Sequence, residues 1–338
     1  MAEKYAVVNG LWSATGTWDG GVKPVGGDTV HANGFNVDID EDITVDSIRT
    51  DAGVTASAGG SFDWLDGCET ITADAIAGSS SCLLVKSVYT NTKYFIGDVY
   101  GGTNSDRGID IHSVTTDIVG VGDCYGGTSS SSAIYTNNMS SFNWTGNFYG
   151  GTNVNSEGIR NQGATNLFIT GNVYGSATYT NGHGIYNYNS GSVYITGMAV
   201  GRQGSGYFSR IASYAEIDII TTDVATQYGY GAFATVIGAK VVVKEMDWNG
   251  FDRCPAQGNI VFDNTPANIQ VTVEQADGSE VILTDAASAP ADYPPVSGVS
   301  KSIVYAYGSK TGTAVLTQGD VINAVTQVVG DQISAALP

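Results

Sequence analysis

Charge and proline are scarce in this chain, and its central repeats are poor in the alanine, leucine, lysine and glutamate that favour helix. Only 14% of residues are charged, and the 14 lysines and arginines face 33 aspartates and glutamates, a formal balance of −19. So few cations argue against neutralising phosphates, and hence against nucleic acid as a partner. The acidic excess also repels anionic polymers unless metal ions intervene. The four cysteines, Cys68, Cys82, Cys124 and Cys254, show neither C-x-x-C nor zinc-ligand spacing. No apolar run approaches the roughly 18 residues needed to span a membrane, and residues 1–11 hold no basic-then-apolar signal. The expectation is a chain made and folded in a cytoplasm, with no membrane insertion. Proline disappears between Pro24 and Pro255. Stacked strands would enforce such a gap, because proline cannot donate to a ladder.

What is abundant is one phrase, repeated. Gly97 to Thr103 reads Gly-Asp-Val-Tyr-Gly-Gly-Thr, and Gly122 to Thr128 reads Gly-Asp-Cys-Tyr-Gly-Gly-Thr. Gly146 to Thr152 reads Gly-Asn-Phe-Tyr-Gly-Gly-Thr, and Gly171 to Ala177 reads Gly-Asn-Val-Tyr-Gly-Ser-Ala, with a degraded copy starting at Gly197. The leading glycines, at 97, 122, 146, 171 and 197, are therefore 25, 24, 25 and 26 residues apart. A second mark, a small residue followed by Ile109, Ile134, Ile159 or Ile185, keeps the same period. Two marks on one period indicate a solenoid. Alternating apolar runs such as Asn166 to Tyr174, closed by Gly-Gly or Gly-Ser, read as short strands and turns. The fold class expected is all-β, a right-handed parallel β-helix with coils of about 25 residues. Cys124 occupies the place of Val99, Phe148 and Val173 in the phrase, so it reads as a small apolar core residue.

Further strands are expected at Val37, Ile43, Leu83, Ala215 and Lys240, which extends the β-helix over residues 28–272. That is roughly ten coils and a rod of about 50 Å. Residues 1–27 read as an N-terminal cap in which Trp12 and Trp18 cover the apolar end of the first coil. Residues 273–296 hold a hairpin around Asp277-Gly278 and a linker with Pro290, Pro294 and Pro295. Residues 297–338 form a small C-terminal β/α module, a strand near Ser302 followed by a helix from Val321 to Leu337. Ile322, Val325, Val329 and Ala336 share one face of that helix, which is too short to be stable alone and suits assembly or anchoring.

Several groups of residues could carry chemistry. Asp98 and Asp123 fall at equivalent positions of successive coils, about 5 Å apart, a separation that glycoside hydrolysis can use. The column continues as Asn147 and Asn172, which reads instead as a polar stack at a turn. Asp106, Asp110, Asp117 and Glu157 are scattered acids with no evident partner. Asp38, Asp40 and Asp42 begin like a calcium loop, but Ile43 stands where that loop needs glycine. Alternation with Val37, Ile39 and Val45 favours a strand–turn–strand with an acidic face. Tyr100, Tyr125, Tyr149 and Tyr174 form a column, read as ladder packing rather than as a sugar platform. His31, His112 and His183 show no triad or metal spacing. No cofactor motif is present.

The segment from Trp18 to Gly34, Trp-Asp-Gly-Gly-Val-Lys-Pro-Val-Gly-Gly-Asp-Thr-Val-His-Ala-Asn-Gly, resembles the opening of β-helical structural proteins of tailed bacteriophages. There a W-x-G-G-x-x-P-x-x-G-D-x-V turn leads into the first coils. The stretch from Asp292 through Tyr305-Ala-Tyr-Gly to Thr311-Gly-Thr is similar to a short module near the ends of phage fibre and head-associated proteins, although Val299-Ser-Lys replaces the usual Val-Arg. The resemblance implies a non-enzymatic virion protein, a head decoration or head fibre projecting from the particle. It implies a homotrimer joined to capsid or tail components, with cell-surface glycan as a further candidate partner, released by lysis without a signal sequence. The alternatives left open are a tail fibre or tailspike that binds a receptor, and a polysaccharide lyase or hydrolase.

Overall fold

The structure, a computed structural model, describes residues 2–246 apart from 54–55, 87–88, 90, 104–105, 113–116, 189–190, 211–212, 223–228 and 236–238. Beyond residue 246 it describes the strand segments 256–257, 260–262, 271–274, 280–283, 304–305 and 310–311. The chain winds as a parallel β-helix. One face runs from Gly10–Leu11 through Asn36–Ile39, Ser61–Trp64, Leu83–Val85, Ile109–His112, Ile134–Asn137, Ile159–Asn161, Ile185–Asn187 and Tyr207–Ser209 to Ala232–Ala234, about nine turns. Two further ladders complete the coil. Val99–Tyr100, Cys124–Tyr125, Phe148–Tyr149 and Val173–Tyr174 make one, and Lys93–Ile96, Asp117–Val121, Ser141–Thr145 and Asn166–Thr170 the other. Both run into the nine-residue strand Val193–Gly201.

The sequence marks are inward columns of these ladders. Ile109, Ile134, Ile159 and Ile185 pair in register, as do Val99, Cys124, Phe148 and Val173, and all are buried. The leading glycines have a different cause. Gly97, Gly122, Gly146, Gly171 and Gly197 sit at φ between 143° and 150°, a region essentially confined to glycine. A Cβ on Gly122 would lie 2.5 Å from the carbonyl carbon of Gly97 in the coil before it. The repeat therefore keeps glycine where successive backbones touch.

Inside, one small residue lets two large rings meet. Gly120 pairs with Phe95 on one side and Trp144 on the other, and the two rings meet past it at 5.8 Å. A Cβ there would come 2.7 Å from Trp144 Cδ2. The interior also carries polar groups that satisfy one another from coil to coil, as buried groups must. Thr136 Oγ1 donates to Asn161 Oδ1 at 2.9 Å, and Asn161 Nδ2 donates to Asn187 Oδ1 at 3.0 Å.

Parallel pairing begins earlier than the boundary at residue 28 that the sequence suggests. Glu3–Tyr5 already pairs with Thr29–His31, and Gly10–Leu11 with Val37–Asp38. Trp12 and Trp18 are buried within this first coil, edge to face at 4.9 Å, and Trp18 Nε1 donates to Trp12 O at 2.9 Å. Trp12 also packs against Phe62 at 6.2 Å. The tryptophans thus close the rod from inside its first turn. At the other end Val271–Glu274 joins the face through Gln257 and pairs antiparallel with Glu280–Leu283, the expected hairpin. Val304–Tyr305 pairs antiparallel with Lys310–Thr311. The proline-rich linker and the C-terminal helix with Ile322, Val325, Val329 and Ala336 lie outside the described residues. Among the described residues no helix is long and apolar enough to cross a membrane.

Candidate functional site

The column of Asp98 and Asp123 is used to bind backbone. Asp74 Oδ1 accepts from Asp98 N and Asp98 Oδ1 from Asp123 N, both at 2.8 Å. Asp123 Oδ1 takes Asn147 N at 2.8 Å and Asn147 Nδ2 at 3.0 Å. Asn147 and Asn172 continue the pattern, accepting from Asn172 N and Met198 N at 3.0 Å. Each coil's side chain thus satisfies the next coil's amide, the polar stack at a turn. Beside it Tyr100, Tyr125, Tyr149 and Tyr174 stack at 4.9 Å, interplanar angles 9° or less, half-buried on the outside of the coil. Tyr100 and Tyr125 donate their hydroxyls to Asp98 and Asp123 at 3.3 and 3.4 Å. Burial, then the neighbouring aspartates, raises both phenol pKa values.

The acidic run at Asp38, Asp40 and Asp42 is likewise engaged. Asp40 accepts from Ser13 N at 3.0 Å and Ser13 Oγ at 2.6 Å, and Asp42 Oδ1 accepts from the amides of Glu69 and Thr70 at 2.7 and 2.9 Å. Asp38 faces Asp63 in register, and burial followed by Asp63 raises its pKa. The residues form the strand–turn–strand expected, with Val37, Ile39, Ile43 and Val45 buried. Among the described residues no three histidines, cysteines or acids are grouped to hold a metal ion.

A different flank gathers the groups with most chemical character. At the corner preceding the isoleucine mark, successive coils place Arg107, Ser132, Glu157, His183 and Ser205. Glu157 is enclosed, and its Oε2 accepts from Ser132 Oγ at 2.8 Å while Arg160 stands 3.9 Å away. Burial outweighs Arg160 and raises its pKa. His183 is equally enclosed. Its Nδ1 accepts from Ser205 N at 3.2 Å, which assigns the proton to Nε2, and burial lowers its pKa to about 3. The imidazole is neutral throughout the physiological range. Lower on this flank Asp110 binds Arg107 at 2.9 Å and His112 Nε2 at 2.8 Å.

Aromatic rings line the outside of the same face. Tyr186, Phe208 and Phe233 stack in register at 5.1 and 5.0 Å, with His183 4.3 Å from Phe208 and Tyr230 5.6 Å from Phe233. Arginines lie over Tyr135, Tyr186 and Tyr188 here, and Arg202 lies over Tyr174 at the end of the stacked tyrosine column. A cavity of about 180 Å³ opens among Thr180, Asn181, His183, Gln203, Phe208 and Phe233. A larger polar depression of about 470 Å³, between Asn36, Ser61, Ser80 and Lys86, lies nearer the N-terminus. The flank can take a flat, hydroxylated ring against its aromatic wall. It was missed in the sequence because its members sit at one turn position but change from one coil to the next.

Compared with known proteins, the chain matches no family model, no curated protein and no solved structure.

Proposed function

We propose that the chain is a non-enzymatic structural protein of a tailed-bacteriophage particle, a β-helical rod projecting from its surface as a head decoration or head fibre. The observation that supports this reading best is the N-terminal turn with its phage-like residue pattern, which closes the first coil with Trp12 and Trp18. A rod that projects from an assembly needs such a closed, soluble shaft. The acids that could have cut polysaccharide, Asp98 and Asp123, are spent on coil-to-coil hydrogen bonds. The reading includes a homotrimer and attachment to capsid or tail components. Exposed Tyr94, Ile96, Val121 and Phe168 fall on one ladder along the rod and supply a seam for it.

The test is the particle itself. Antibody against the chain should label intact virions from a producing lysate, and the purified chain should run as a trimer by light scattering. A Val121→Glu substitution should shift that trimer toward monomer. Particles that lack the chain would sink the reading. The cavity on the arginine-bearing flank favours a second reading, a tail fibre or tailspike that binds a surface glycan. Incubation with capsule or lipopolysaccharide separates both from a depolymerase, which alone would release new reducing ends or unsaturated uronates.

A further inference from the structure

The corner column that precedes the isoleucine mark places a serine between two rings. His183, Ser205 and Tyr230 stand one above another there, since Ser205 O accepts from Gly184 N at 3.1 Å and Tyr230 O from Gly206 N at 3.0 Å. Beside them runs the outer column of Tyr186, Phe208 and Phe233, paired in register. His183 lies 5.8 Å from Tyr186 at 21°, and Tyr230 lies 5.6 Å from Phe233 at 25°, so each corner ring lies roughly level with its neighbour in the stack. At the level of Phe208 the corner carries only the serine. The space a ring would take there is the cavity of about 180 Å³, bounded by His183, Phe208 and Tyr230.

Two polar groups of this space lack a protein partner. Ser205 is 5% exposed and His183 4%. Ser205 N donates to His183 Nδ1 at 3.2 Å, which leaves Nε2–H as the ring's donor. Among the described residues neither that N–H nor Ser205 Oγ has a hydrogen-bond partner. Ser132, the serine two coils below His183 in the same column, shows the contrast. It is equally buried, and it donates to Glu157 Oε2 of the next coil at 2.8 Å. Buried polar groups left unmet are costly, so the gap favours a ligand that brings oxygen atoms to them. Among the described residues no lysine, arginine, aspartate or glutamate lines it, and the imidazole is neutral. An ionic ligand would find no counter-charge there.

The outer rings rise 5.1 and 5.0 Å per coil, so His183 and Tyr230, two coils apart, are separated by about 10 Å along the rod. A planar base between them, about 3.5–4.0 Å from each, would fill about 7–8 Å of that height. A pyranose chair is thicker by its axial hydrogens and fills it better. Its C–H faces suit the rings, and its hydroxyls suit the amides of Asn181 and Gln203 on the rim. We infer that the gap at Ser205 binds one uncharged pyranose residue of a surface glycan, seated between His183 and Tyr230 with its hydroxyls bonded by Ser205, His183 and the rim amides. The inference deepens the glycan-binding reading above and rests on it only for where the sugar is met. An uncharged glycan also meets no repulsion from a chain of formal charge −19.

The test is saturation-transfer NMR titration of the full chain with the methyl glycosides of glucose, galactose, mannose, rhamnose and N-acetylglucosamine. Glucuronic acid, glucosamine and adenosine serve as comparisons. At least one neutral glycoside should bind with a Kd of about 1 mM, as suits a ligand of about a dozen heavy atoms, and salt should leave that affinity unchanged. Ser205→Leu fills the gap, so it should weaken binding by at least about tenfold while holding or raising the unfolding midpoint. Asn181→Ala and Gln203→Ala should each weaken binding by about threefold to tenfold without moving the midpoint. Tyr94→Ala on another face should leave binding unchanged. Three results would each overturn the inference: no neutral glycoside bound, tighter binding of any comparison compound than of every neutral glycoside, or wild-type binding by a folded Ser205→Leu chain. If Ser205→Leu fails to fold, unchanged binding in both rim variants overturns it instead. Because particle labelling is read independently, labelled virions with no glycoside binding refute this inference alone. Glycoside binding without labelled virions refutes only the virion reading.

Discussion

Replacing Gly122 with alanine puts one methyl group between two coils that already touch. The residue sits at φ 143°, and its Cβ would lie 2.5 Å from Gly97 C and 3.1 Å from Asp98 N, both backbone atoms that cannot rotate away. Forcing a side chain into that φ region costs about 1–3 kcal/mol. Prising the coils apart adds an overpacking cost of about 1–3 kcal/mol, and it strains the amide-to-carbonyl bond from Gly122 N to Thr145 O. Two other glycines separate the contributions. Gly21 has φ 65° and open space around its Cβ, so Gly21→Ala carries the conformational cost alone, about 1–2 kcal/mol. Gly16 has open space and no positive φ, and Gly16→Ala should be neutral or stabilise by up to about 1 kcal/mol. Urea unfolding followed by tryptophan fluorescence should rank the three as Gly16, Gly21, Gly122 in increasing loss. Solenoids can unfold coil by coil, so amide exchange at Cys124–Tyr125 and Phe148–Tyr149 should be read alongside. If Gly122→Ala matched Gly21→Ala in both measurements, coil-to-coil contact would not be what fixes the glycine period.

Lys93 is fully enclosed, with Nζ donating to the carbonyls of Leu65, Asp66 and Cys68 at 3.0, 2.9 and 2.5 Å and lying 4.5 Å from the Tyr89 ring. Lys93→Met should cost about 1–2 kcal/mol by removing three bonds to the turn, of whose acceptors Leu65 O and Cys68 O keep the Cys68 amide and Trp64 Nε1 as donors, whereas a gain in unfolding midpoint would mean that burying the ammonium costs more than its bonds return. His183 has its pKa lowered to about 3 in the fold against 6.5 for the free side chain. The unfolded chain therefore takes up a proton that the fold refuses, and this group's contribution is lost as pH falls below 6.5, about 2 kcal/mol by pH 5. Glu157 has the opposite sign: its raised pKa gives stability in acid that is lost as pH rises through the folded value. The difference between wild type and His183→Phe, followed by urea midpoint from pH 7 to 5, isolates the histidine, and a difference that stays constant with pH would contradict its burial as a neutral ring.

The shaft was legible in the sequence because its determinants are local and recur with the coil. Each leading glycine answers to the coil before it, and each isoleucine to the isoleucines above and below. The stacked tyrosines and the place of Cys124 followed from the same register. The point at which coiling starts was not legible, since Glu3–Tyr5 and Gly10–Leu11 are too short to show alternation and acquire strand character only by pairing. The arginine-bearing flank was hidden for a different reason. Tyr186, Phe208 and Phe233 share a column only after the register is known, because the turns between them differ in length and the residues fall 22 and 25 positions apart. Its corner position reads arginine, serine, glutamate, histidine and serine in successive coils, which looks like noise in a linear reading.

That contrast separates residues that the coil requires from residues whose identity it leaves open. The column from Asp74 to Asn172 needs an acceptor at every level, because the next coil's amide must be met, and aspartate and asparagine both supply one. Stacking like charges at rung spacing is unfavourable, and the change to asparagine at 147 and 172 keeps the bond while removing that repulsion. Acid identity at this column is therefore no sign of acid chemistry. The arginines of the flank follow no such rule. Arg107, Arg160, Arg202 and Arg210 replace one another at no repeated backbone bond, yet each is held over a tyrosine. In a rod built by repetition, residues that break the repeat and still share one geometry are the ones whose identity the coil itself does not explain.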